Sequence, residues 1–171
     1  ARDSVNVERM LARARSASSP AAGPDHDLFA GELAGRVAIA STYFPGRPLG
    51  ELRAGGVPAR LGSIWPLLRG VLDALIALHA RRLVHGSLSP ENVLEGGGQI
   101  RLLDAGSHFL RRPMDQVSPE QIAGEHPTAR SDMYAFGVLL YQLLAGRPPF
   151  IGGREQIARG QLAIDSAVPG Y

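Results

Sequence analysis

The stretch His85-Gly-Ser-Leu-Ser-Pro-Glu-Asn-Val-Leu94, followed ten residues later by Asp104-Ala-Gly106, decides how this chain is read. It divides into a tight loop, a short strand, a turn at Gly96-Gly97-Gly98, a second strand from Ile100 to Leu103, and an Asp-x-Gly turn. Two short apolar runs around a glycine turn signal a β-hairpin. A hairpin with polar residues at both outer ends brings Asn92 and Asp104 close together. Two oxygen ligands so placed can hold a hard divalent cation, or else serve only to cap a turn. Where such a site wants a carboxylate base, the chain has Ser87.

Working outward, 171 residues make one domain or part of one, and 44% hydrophobic residues are enough to bury a core. No uninterrupted apolar run reaches the roughly 18 to 20 residues of a membrane span, which predicts none in this chain. The first residue is Ala1 rather than Met, so the chain reads as part of a longer protein that could carry an anchor elsewhere. Cysteine is absent, which rules out disulfides and thiolate metal sites and fits a reducing compartment. All 18 basic residues are arginine, so no step in this chain can use a lysine amine. The net charge of +2 is dispersed, with only Arg81-Arg82 and Arg111-Arg112 adjacent. That excludes the clustered basic face of a nucleic-acid binder.

Upstream of the loop, residues 4–15 carry a helical period, and 16–27 read as a loop. Strands are predicted at about Leu28 to Leu33 and Val37 to Phe44, then irregular chain with one helical turn near Leu49 to Leu52. A long helix is predicted from Ser63, as its cap, to about Arg82, with Leu68, Val71, Leu72, Leu75, Ile76 and His79 at spacings of three and four. Downstream, a short helix follows Glu120. The stretch from Asp132 to Leu144 is apolar almost all round, capped by Ser131 and stopped by Gly146, and so belongs in the middle of a domain. A last helix is predicted at about 153–162.

This order of elements, with these residues in it, resembles the protein kinase family, most closely its bacterial serine/threonine branch. His85-Gly-Ser-Leu-Ser-Pro-Glu-Asn-Val-Leu94 is similar to the family's H-R-D-L-K-P-E-N-I-L, Asp104-Ala-Gly106 to D-F-G, and Ser118-Pro-Glu120 to A-P-E. Ser131-Asp-Met-Tyr-Ala-Phe-Gly137 and the apolar run after it resemble the family's buried central helix. The resemblance implies an α+β fold, chiefly the helical C-terminal lobe with a truncated N-terminal lobe. Residues 1–45 would form a partial smaller lobe (regulatory helix and two strands up to a hinge at about Ser41 to Pro45). Residues 46–171 would form the larger lobe without its last helices.

Residue by residue, the resemblance implies both kept and lost parts. Asn92 and Asp104 match the metal ligands. His85, Glu120 and Asp132 match structural positions, with Asp132 accepting backbone N–H bonds from the loop. Four working positions are replaced: the arginine by Gly86, the catalytic base by Ser87, the phosphate-holding lysine by Ser89 and the aromatic of D-F-G by Ala105. Glu8 stands at the regulatory-helix glutamate, but its lysine partner cannot exist in a lysine-free chain. The expectation is an inactive pseudokinase: a non-catalytic binding, regulatory or scaffolding module, cytoplasmic, with no resident cofactor or at most weak Mg-ATP at Asn92 and Asp104. A protein partner or neighbouring domains would cover the truncated lobes. The alternative is a Mg-dependent nucleotide-binding sensor or weak atypical phosphotransferase.

Overall fold

A computed structural model of the chain describes residues 29–33, 36–40, 43–52, 58–105 and 116–150. The helices predicted at 4–15 and 153–162, Glu8, Gly106 and the irregular segment after it lie outside the described residues. Strands β1 (Phe29–Leu33) and β2 (Arg36–Ala40) form an antiparallel pair with Phe29 opposite Ala40 and Leu33 opposite Arg36. β2 is predicted to reach Phe44, but the described residues Tyr43 and Phe44 are not in a strand. Gly46 N–H instead donates to the Phe44 carbonyl at 2.8 Å, a tight turn that redirects the chain. After it come β3 (Arg47–Pro48) and the predicted single helical turn, α1 (Leu49–Leu52).

Strands β4 (Val93–Gly96) and β5 (Gln99–Leu102) are the predicted hairpin, and β3 adds to them in the order β3–β4–β5. Gly96 pairs with Gln99, and the two residues between them, Gly97 and Gly98, have φ of 60° and 77°. A two-residue turn with both central φ positive matches the twist of an antiparallel pair, and glycine adopts it without steric cost.

Helix α2 (Leu61–Ala80) starts two residues before the predicted cap. Arg60 is the extended residue at its start, and the Ser63 hydroxyl, already inside the first turn, turns back to donate to the Arg60 carbonyl at 2.7 Å. Pro66 therefore falls in the second turn and removes one helical hydrogen bond. The residues that α2 buries are Ile64, Leu68, Val71, Ala74, Leu75 and Leu78. Ile76, which shares the helical spacing, is 63% exposed. The reason lies at Gly70, where a Cβ would stand 2.6 Å from Ile100 of β5. The helix presses on the sheet along that line and turns Ile76 out.

By length and composition α2 could cross a membrane, with a mean hydropathy of 1.5. Arg69 and Asp73 interrupt its apolar runs, which hid this in the sequence. Here it is a core helix, packed against Val93 and Ile100 of the hairpin and Leu139 and Leu143 of α4 (Ala129–Ala145).

Before α4 comes a short helix, α3 (Pro119–Ile122). α4 begins at Thr128 rather than at the predicted Ser131 cap. The Thr128 hydroxyl accepts from Arg130 N–H at 3.2 Å, and the Ser131 hydroxyl accepts from Thr128 N–H at 2.9 Å, a reciprocal capping box. The other end is as read: Gly146 closes the helix at φ 69°. α4 is not buried all round, since Met133 is 47% exposed, and it buries the polar side chains of Ser131, Asp132 and Gln142.

Candidate functional site

The loop from His85 to Pro90 is buried, and what holds it is Asp132, itself 1% exposed near the start of α4. Its Oδ1 accepts from Gly86 N–H at 2.7 Å, and its Oδ2 accepts from His85 N–H at 2.9 Å. The same Oδ2 lies 2.8 Å from His79 Nε2, at the last turn of α2. A buried carboxylate without partners would cost several kcal/mol, on the order of 3 or more. Here three donors from two segments converge on it. The loop then turns at Gly86, whose φ of 71° lies in the left-handed region.

Beyond that turn, Ser87 N–H faces His85 Nδ1 at 3.3 Å, and the Ser87 hydroxyl donates to the Asp104 carbonyl at 3.0 Å. The hydroxyl thus ties the loop to the far end of the hairpin. Asn92 Nδ2 donates to the Ser87 carbonyl at 2.9 Å, and Leu103 N–H donates to the Asn92 carbonyl at 2.8 Å. These two bonds place Asn92 and Asp104 at the same open end of the hairpin. Asp104 is exposed and takes φ 57°, a strained value for a non-glycine residue. The Asn92 amide is oriented by its nitrogen, and among the described residues nothing donates to its oxygen. Among those residues no cluster of three or more His, Asp or Glu forms a metal site of the protein alone. Ser89 is buried, and Ala105 packs against the core.

Two groups that sequence reasoning overlooked complete the frame. One is His79, placed only on a helix face. The other is Gln121. Its Oε1 accepts from Ser118 N–H at 3.2 Å and from the Ser118 hydroxyl at 3.1 Å, and its Nε2 donates to the Gly86 carbonyl at 3.1 Å. The Ser-x-x-Gln spacing of a capping box was the available signal. Next to it, Glu120 accepts from the Ser131 hydroxyl. Burial by itself pushes the Glu120 carboxyl up. The hydroxyls of Ser131 and Ser118, its own N–H and the Arg130 charge outweigh this and hold it below its ordinary value. Residues 120 and 121, 131 and 132, and Gly86 thus form one closed ring of hydrogen bonds joining three segments.

At the other edge of the site, β5 buries Arg101, whose guanidinium lies 4.6 Å from the centre of the Phe44 ring. Burial holds the Arg101 guanidinium below its ordinary pKa.

A hairpin with an Asn and an Asp at its mouth, a buried loop held by an Asp at the head of a core helix, and an anchored Ser-Pro-Glu turn form one constellation. The sequence profile of the protein kinase domain matches residues 36–167, more than half of the chain. The chain belongs to the protein kinase family. It is 32% identical over 164 residues to the serine/threonine-protein kinase pkn2 of Myxococcus xanthus, covering 81% of this chain and 20% of that protein. It is 34% identical over 137 residues to PknL of Mycobacterium tuberculosis, covering 72% of this chain and 34% of that one. To PrkC of Bacillus subtilis it is 29% identical over 168 residues, covering 89% of this chain and 26% of PrkC. The chain therefore spans about a third or less of these relatives. The loop at 85–92, the hairpin after it and α4 carry the stretches that resemble the family's motifs.

Proposed function

We propose that this kinase-family domain is a pseudokinase: a non-catalytic binding or regulatory module of a larger, cytoplasmic protein. The observation that carries the reading is the Ser87 hydroxyl, which donates to the Asp104 carbonyl at 3.0 Å in the place of a catalytic base. An aliphatic hydroxyl cannot accept a substrate proton near neutral pH, and the loss of a general base costs about 10²- to 10⁴-fold in rate. Two further replacements support it. Ser89 offers no cation to a transferring phosphate, and no lysine exists in the chain to supply one. Gly86 offers no guanidinium to a phosphorylated segment. The frame that remains, Asp132 with Gly86 and Gln121, keeps the loop in shape without chemistry, as a module that displays a surface to a protein partner requires.

The test is phosphoryl transfer from Mg-ATP to casein by the purified chain and by its Asp104→Asn variant. No incorporation by either is expected. Mg-dependent incorporation that disappears in the variant would overturn the reading.

A second reading, a Mg-dependent nucleotide sensor, is favoured by one arrangement. Asn92 is held by its nitrogen with its oxygen open among the described residues, beside the exposed Asp104. Those two oxygens fit a divalent cation, which would supply charge neutralisation for nucleotide phosphates. A thermal shift with Mg-ATP beyond that with Mg alone is the expected sign, and its absence sinks the sensor.

A further inference from the structure

The hairpin β4–β5 has two faces, because side chains alternate along a strand. On one face Val93, Ile100 and Leu102 pack into the core, with Ile100 pressed against Gly70 of α2. The other face carries Leu94 and Arg101, which stand opposite one another in the register and are 9% and 6% exposed. Arg101 is thus a buried charge on the face turned away from α2. There its guanidinium lies 4.6 Å from the centre of the Phe44 ring.

The backbone leaves room for that ring. A Cβ at Gly46 would stand 2.5 Å from Phe44 Cε1, and one at Gly96 would stand 2.6 Å from the Pro45 carbonyl. Gly46 N–H closes the turn on the Phe44 carbonyl at 2.8 Å, and β3 follows at once, with Arg47 opposite Glu95 of β4. The turn at 44–46 is therefore seated on the hairpin by close backbone contact. The ring and the guanidinium are the parts whose rotamers can change without moving it.

This face runs up to Asn92 and Asp104. Arg101 comes three residues before Asp104, about 10 Å along an extended strand, and Leu94 comes two residues after Asn92. Phosphates held through a cation at Asn92 and Asp104 leave the base of a nucleotide one hairpin surface to lie on, since the core takes the other. A planar guanidinium against an aromatic ring fills such a surface much as a base would.

We propose that Phe44 and Arg101 form an internal plug: the pair occupies the hairpin face that the base of a bound nucleoside triphosphate would cover, and so holds the affinity of the site down. The inference rests on the cation reading of Asn92 and Asp104 and adds its regulation. A nucleotide binds the fraction of molecules in which the pair has swung away, so weakening the pair raises the apparent affinity by the same factor. Cation and phosphates sit beyond the plug, and their own binding is independent of it.

The test is calorimetric titration of the full chain, in excess Mg, with ATP and with inorganic tripolyphosphate, which has the phosphates without the base. Phe44→Ala should bind Mg-ATP at least about ten-fold more tightly than the parent, with Mg-tripolyphosphate unchanged. Arg101→Met, which keeps the bulk and removes the charge, should act in the same direction. Far-UV circular dichroism checks that each variant folds, and if one does not, the other decides. Asp104→Asn, alone or added to either variant, should abolish the binding of both ligands. Unchanged ATP affinity in a folded variant would overturn the plug and leave the cation site standing. An equal gain for ATP and tripolyphosphate would also overturn it, since the substitution then only loosens the domain. Tripolyphosphate that does not bind the parent, or that binds despite Asp104→Asn, removes the cation reading itself and the plug with it.

Discussion

Asp132 and Gly86 are joined by a 2.7 Å hydrogen bond that reaches from the head of the core helix into the buried loop. With the 2.9 Å bond to His85 N–H, one carboxylate fixes two successive peptide groups. Replacing it by alanine leaves both N–H groups buried without a partner, at about 1 to 3 kcal/mol each. Asp132→Ala should therefore lose about 3 kcal/mol or more in urea unfolding, and Asp132→Asn, which keeps one acceptor oxygen, about half of that. A loss below about 1 kcal/mol for the alanine variant would mean that the loop holds itself.

Gly86 matters for its backbone as well. At φ 71° any other residue is strained, by roughly 1 to 2 kcal/mol. Its position is also buried. Gly86→Ala should lower the thermal midpoint, and Gly86→Arg should lower it further. A family arginine put back here is expected to damage the domain rather than repair it. An arginine variant as stable as the parent would refute this.

Glu120 makes stability depend on acid. Its carboxyl is held below its ordinary value of 4.5, so the ionised form is favoured in the folded state. The sign follows: this contribution is complete above the ordinary value and is lost as pH falls through the lowered one. Glu120→Gln should differ from the parent at neutral pH and converge on it at acid pH, below the ordinary carboxylate range. Thermal melts across that range would show it. Curves that stay parallel would assign the difference to packing.

Much of this was legible in the chain because it rests on local chemistry. The Gly97–Gly98 turn, the Gly146 stop and the polar ends of the hairpin are all dictated by neighbours in sequence. The outer face of α2 was not legible. Periodicity reported an apolar helix but could not say which arc meets the sheet, and that is decided by the close approach of Gly70 to Ile100, 30 residues away. The start of α4 was misread for a related reason. Ser131 looked like a cap because serine caps helices, but Thr128, three residues earlier, takes the role and turns Ser131 into its reciprocal partner and the donor to Glu120. Within the site, Gly86, Ser87, Ser89 and Ala105 could each be matched singly to a position of the motifs they resemble. The ring through Gln121 could not, because it closes only when three segments meet.

That ring gives the sharpest test of how the loop is held. Gln121 needs both ends of its amide: the oxygen accepts from Ser118 and the nitrogen donates to the Gly86 carbonyl at 3.1 Å. Alanine removes both functions and should cost about 1 kcal/mol. Glutamate keeps the first but sets a second acceptor oxygen against the Gly86 carbonyl, so at neutral pH Gln121→Glu should be less stable than Gln121→Ala. Acid reverses the order, because a protonated glutamate regains a donor and can remake the bond. The readout is the thermal midpoint of both variants at pH 7 and at about pH 4, near the ordinary glutamate range. Amide exchange at Ser87 and Leu88 serves as the local probe, and it should speed up in both variants at neutral pH. If the two variants rank alike at both pH values, Gln121 is only a capping residue for α3 and the loop is held by Asp132 alone.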